Sequence, residues 1–229
     1  MAETFDTLYQ RACERKGGAD IVEAMLGEPL TPQQVKKIPD DRFLSEMTKK
    51  VFQSGFVWRV IEKKWPDFET VFFGFDIEKV LLMPDEMLEQ KASDKRIVRN
   101  YKKVMTVRDN ATMIKDVARE HGSFGHFVAA FEGKDIVALW QFLKKRGARL
   151  GGNTGPYMLR TIGVDTFLLS QDVEDYFRKH DLIHGGLQTK RSLDTISAQF
   201  SEWQQQSGRP LEQLSQILAF SWGTNRRLT

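Results

Sequence analysis

The chain has a single cysteine, Cys13, among 229 residues, which excludes an internal disulfide and any zinc site built from several cysteines. Such sparse usage fits a reducing compartment, and the expected location is the cytoplasm. No apolar run approaches the roughly 20 residues a membrane-spanning helix needs, and the stretch from Val80 to Met83 is far shorter. The N-terminal MAETFDTLYQRACERKGG alternates charged and apolar residues where a signal peptide carries a continuous apolar segment. Neither export nor a membrane partner is expected. The excess of basic over acidic residues is small too: the formal net charge is +3 and the pI about 8.9, so contact with a polyanion has to come from local clustering. Solenoid-length repeats and low-complexity segments are missing too.

What the sequence does have is helical periodicity nearly throughout, with no sustained β alternation, and the expected fold class is all-α. Pro66 is expected to open a helix around Phe68 to Phe73, Asp76 to cap the next, and Pro84 to start another as MPDEMLEQ. From about Lys95 to Glu120 a longer helix is expected, with Ile97, Val98, Tyr101, Val104 and Met105 at three-and-four spacing and Arg96, Arg99, Lys102, Lys103 and Arg108 on or beside a basic face. Gly122 and Gly133 break the chain before a helix from Ile136 to Arg146. After Gly185 and Gly186, Ser192 to Ser207 and Pro210 to Trp222 read as two final helices. A chain of this length buries one sizeable core or two closely packed subdomains.

The segment LGGNTGPYMLRTIG, Leu150 to Gly163, sets a glycine-rich turn between two helical stretches. Gly151, Gly152 and Gly155 are expected to turn the backbone with positive φ and expose its N–H groups, and Pro156 suits a first helical turn. Backbone donors at a helix start favour an anion. Lys144, Lys145, Arg146 and Arg149 precede the turn and Arg160 follows it, which suggests a phosphate grip on DNA that reads no base. An ordinary interhelical loop with solvated cations is the alternative. On the phosphate reading, the DNA-binding set is Arg149, Gly151, Gly152, Asn153, Thr154 and Gly155.

Three segments, QSGFVWRVIEKKWPDFETVFFGFDIEKV (Gln53 to Val80), RIVRNYKKVMTVRDNA (Arg96 to Ala111) and KKRGARLGGNTGPYMLRTIG (Lys144 to Gly163), resemble the type I DNA-3-methyladenine glycosylases of the helix-hairpin-helix superfamily. The similarity runs from about Asp41 to Tyr176. It implies an all-α protein that grips double-stranded DNA through the hairpin, flips out a damaged adenine and cuts its N-glycosidic bond with water, without a cofactor. Gln53, Gly55 and Trp58 match the family's Q-x-G-x-x-W segment, which makes Trp58 the stacking wall of a base pocket; Phe52, Phe56 and Tyr9 are further candidate faces, with core packing the alternative for Phe52 and Phe56. The expected layout is a glycosylase-like domain over residues 1–185, with the helix-hairpin-helix near 136–163, and a helical extension over 186–229 packed on it. A monomer is expected.

The sequence departs from the family at three places. Where the family carries a Glu that reads the alkylated adenine, eight residues before the pocket Trp, this chain has Lys50, and Glu46, one helical turn earlier, is the substitute carboxylate. Lys50 and Glu46 are therefore the candidate catalytic or specificity residues. The family's zinc-ligand positions match Cys13 at one end only, with Asp172 and Tyr176 at the others; His180 and His184 share a face if that segment is helical, and no structural metal is expected. The superfamily's catalytic Asp aligns with Ser170, with Asp165 and Asp172 nearby. These departures leave three readings: a glycosylase for alkylated adenine, a noncatalytic DNA-binding member, and a member with a different base.

Overall fold

A computed structural model describes residues 3–131 and 135–223. Over these residues the chain forms fourteen α-helices and one short 3-10 turn, with no strand, as expected from the periodicity. Gly133, read as a chain break, lies outside the described residues.

The chain divides into two compact units, one from Leu30–Val164 and the other from Met1–Pro29 with Asp165–Thr229. This division cuts across the expected limits at 185 and 186. In the split unit the helix Phe5–Lys16 packs on Leu211–Trp222. Phe5, Leu8 and Ala12 recur at three-and-four spacing and are buried together with Leu214, Ile217 and Leu218. Phe167 stacks on Phe200 with ring centres 4.4 Å apart, and Trp203 donates its indole N–H to the Glu3 carbonyl at 2.8 Å. The expected helix from Ser192 spans Lys190–Ser207, capped by the Thr189 hydroxyl, and Pro210 leads into the last helix. Asp165 accepts from the Leu211 and Glu212 N–H groups at 3.1 and 2.8 Å, so its carboxylate caps that helix. Ser170 caps Gln171–Lys179 through the Val173 N–H.

The continuous unit is organised around the helix Asp40–Gln53, which buries Phe43, Leu44, Met47, Val51 and Phe52. It packs on Trp58–Val71, Tyr101–His121 and Thr154–Ile162. Pro66 does not open a helix: it lies inside Trp58–Val71. An interior proline costs about 3 kcal/mol, and here tertiary burial offsets it. Trp65 stacks on Phe68 and on Phe75 at 5.0 and 5.6 Å, Phe72 stacks on Phe75 at 5.6 Å, and Phe52 meets Phe68 edge-on at 4.7 Å. Burying rings of this size contributes more than the one hydrogen bond the proline removes. Asp76 and Pro84 do start the helices Ile77–Leu81 and Asp85–Ala92.

The long helix begins at Tyr101, not near Lys95, because the Asn100 side chain accepts from the Lys103 N–H and fixes the start there. It ends at His121, with Gly122 at φ 85°.

Candidate nucleic-acid interface

The helix Ile136–Arg146 ends when Gly147 donates to the Leu143 carbonyl at 2.9 Å, and Lys144, Lys145 and Arg146 stand exposed on its last turn. Six residues on, Asn153 precedes the helix Thr154–Ile162. Positive φ was expected at three glycines, and only Gly152 has it, at 62°; Arg149 supplies the second left-handed residue, at 60°. Gly155 is needed for a different reason. A Cβ there would sit 2.7 Å from the Leu150 carbonyl oxygen, which already accepts the Gly155 N–H at 3.1 Å. Close approach of two backbones selects this glycine, and backbone handedness selects Gly152. Leu150 anchors the turn in the core while Arg149, Gly152 and Asn153 remain exposed. Among the described residues, neither the Gly151 nor the Gly152 N–H donates to another protein group. These two donors lie between the exposed cations that end one helix, with Arg149, and the start of the next helix at Thr154.

The turn is held from outside by Asn110, a fully buried residue of Tyr101–His121. Its carboxamide accepts from the Ala148 N–H at 2.8 Å and donates to the Ala148 carbonyl at 3.2 Å. On the same helix Lys103 donates through Nζ to the Phe52 and Ser54 carbonyls at 3.2 and 2.7 Å. Burial first, then the nearby Arg149, push this ammonium below its ordinary range. One helix thus fixes both the hairpin turn and the loop after Gln53. Neither residue was singled out in the sequence; Lys103 reads there as part of a solvated basic face, and only its tertiary partners distinguish it from Lys102.

Between that loop and the hairpin lies a cavity of about 580 Å³. Lys50 and Gln53 form one wall, the segment from Ser54 to Trp58 a second, and Asn153, Thr154 and Tyr157 a third. Asn153 and Thr154, which lead out of the turn, therefore also line the void beside Trp58. The Trp58 indole is 47% exposed and is braced edge-on by Tyr157, ring centres 5.9 Å apart at 87°. Phe56 and Val57 protrude at the rim, both exposed; the core position considered for Phe56 is excluded because the helix stops at Gln53. Phe52 faces the opposite way and is fully buried in the core, away from the cavity lining. Tyr9 belongs to the other unit, where its hydroxyl donates to Glu23 at 2.5 Å and its ionisation is pushed up to about 12.

Lys50 is 8% exposed, and its Nζ lies 5.2 Å from the Trp58 ring centre and 3.2 Å from Glu46 Oε1. Glu46 is not part of the lining. Burial pushes its carboxyl above the usual range, opposed by the Lys50 ammonium. The carboxylate thus stands behind the ammonium, and the cavity presents the cation.

His180 follows the end of Gln171–Lys179 and His184 lies beyond it, so the two do not share a helical face. Among the described residues no group of three or more His, Cys, Asp or Glu is placed to hold a metal ion.

Residues 35–159 match the methyladenine glycosylase family, more than half of the chain. Among solved structures, a 3-methyladenine DNA glycosylase I from Staphylococcus aureus superposes with a TM-score of 0.51 at 22% identity, over 60% of this chain and 80% of its own. An 8-oxoguanine glycosylase/lyase from Methanocaldococcus jannaschii, solved with DNA containing 8-oxoguanine, superposes with a TM-score of 0.52 at 18% identity, over 96% of this chain and all of its own. The helical fold, the hairpin between Arg146 and Thr154 and the match over residues 35–159 together place the chain in the methyladenine glycosylase family of helix-hairpin-helix DNA glycosylases.

Proposed function

We propose that this protein is a base-excision enzyme that grips duplex DNA at the 147–154 turn, receives an extruded damaged base in the cavity beside Trp58 and hydrolyses its N-glycosidic bond with water. The observation that carries this reading is the sharing of Asn153 and Thr154 between the turn and the cavity wall. A phosphate held by the Gly151 and Gly152 amides brings its nucleotide to the mouth of a void of about 580 Å³, roomy enough for a purine. Trp58 supplies the aromatic plate that replaces lost stacking, a contact worth about 1–3 kcal/mol per base. Phe56 and Val57, apolar and exposed at the rim, are placed to enter the gap in the duplex, as apolar wedges do in kinked DNA.

The family resemblance implies alkylated adenine as the base. A second reading, a member of altered specificity, is favoured by one observation: Lys50 and not Glu46 lines the cavity. An ammonium repels a base made cationic by methylation and cannot accept from its exocyclic amine. The test is chromatography of free bases released from duplexes carrying alkylated, deaminated or oxidised bases. Release from at least one class supports excision. No release from any, with DNA binding intact, makes the protein a noncatalytic binder.

A further inference from the structure

The residues lining the cavity include no carboxylate. Their one buried charge is the Lys50 ammonium, held over the Trp58 face and backed by Glu46. An ammonium has three N–H donors and no acceptor, so a group that meets it must bring a lone pair. Beside it, Gln53 is 1% exposed, and its Oε1 is buried without a hydrogen-bond partner. A terminal carboxamide torsion turns at small cost, which lets this oxygen serve a ligand N–H. Lys50 and Gln53 both line the cavity with Trp58, so one donor and one acceptor are supplied from the same helix.

We infer that the cavity, if it receives an extruded base as proposed above, selects a neutral base with a ring carbonyl next to an N–H, an edge that deamination or oxidation creates and that guanine and thymine also carry. Lys50 donates to the carbonyl and Gln53 accepts from the N–H. A base with a fixed positive charge is rejected, since the Lys50 ammonium meets it first while the offsetting Glu46 carboxylate stands outside the lining.

The same geometry bears on the chemistry. A neutral base leaves with the electron pair of the C1′–N bond and becomes an anion whose charge spreads to its carbonyl oxygen. Water oxygen forms the new bond to C1′, one water proton stays on the sugar hydroxyl, and the other ends on the released base. An ammonium aimed at the carbonyl oxygen stabilises the charge that develops as the bond breaks. A cationic base leaves neutral and draws no such benefit.

The experiment compares binding of the full chain to three duplexes of one sequence: undamaged, carrying 2′-fluoroinosine, and carrying the cationic 2′-fluoro-7-methylguanosine. The fluorine slows cleavage so that affinity is read alone. The expected result is at least tenfold tighter binding of the inosine duplex than of the cationic one, narrowed to within about threefold by Lys50→Gln and reversed by Lys50→Glu. Lys50→Gln keeps the test open if the acidic variant fails to fold beside Glu46. Tighter binding of the cationic duplex that Trp58→Ala abolishes overturns this selectivity and leaves the base pocket standing. Equal binding of all three duplexes, unchanged by Trp58→Ala, overturns both.

Discussion

The Asn110 carboxamide exchanges two hydrogen bonds with the Ala148 backbone, at 2.8 and 3.2 Å. Through that pair the hairpin turn is positioned by a helix distant in sequence. Asn110 is fully buried, so Asn110→Ala leaves an N–H and a carbonyl of the turn without partners. The expected loss is about 2 kcal/mol of stability, the cost of breaking a buried pair of this kind. DNA affinity should fall more than stability alone accounts for, because the amides of the turn lose their fixed direction. Denaturant unfolding together with titration of an undamaged duplex measures both.

The glycines of the turn separate two kinds of constraint. Gly152→Ala meets open space but forces a side chain onto a backbone at φ 62°, and should cost about 1 kcal/mol. Gly155→Ala drives its Cβ to within 2.7 Å of the Leu150 oxygen and should cost more, since the colliding atom is backbone. Thermal unfolding of the two variants gives the order directly.

Arg149 is exposed beside the turn. Arg149→Glu should weaken binding equally for all sequences and reduce the slope of log affinity against log salt by about one. Unchanged affinity at low salt removes the turn from the interface.

Glu46 links the pocket to pH. Its carboxyl binds a proton more tightly in the folded protein than at its ordinary value near 4.5. Its contribution to stability is therefore full below that ordinary value and is lost as pH rises through the elevated one. Glu46→Gln removes this slope. Between pH 4.5 and neutrality the wild type should lose stability relative to Glu46→Gln, read as the difference in Tm across pH; a difference independent of pH contradicts the assignment.

Local signals were legible in the sequence where local chemistry decides the structure. The cap at Asp76 is a side chain answering an N–H group three residues on, and the hairpin glycines mark a turn whatever surrounds it. Pro66 was misread because its cost is set by a local rule while the gain comes from Trp65, Phe68 and Phe75, which meet only in the folded unit. The grouping of Lys50, Gln53 and Trp58 follows from the family motif and from helical spacing. Asn153, Thr154 and Tyr157 complete the cavity from a segment a hundred residues away, and no period in the sequence announces that meeting. Arg149 shows a further limit: propensity assigns left-handed backbone to glycine, and here the surrounding turn imposes it on an arginine.

Base excision as proposed requires an extruded base to lie against the Trp58 ring. Fluorine NMR of a duplex with a single ¹⁹F-labelled damaged base reads this most directly. A ring-current shift of that resonance is expected when the wild-type protein binds, lost in Trp58→Ala at saturating protein although the duplex stays bound. The same shift in both proteins would contradict it.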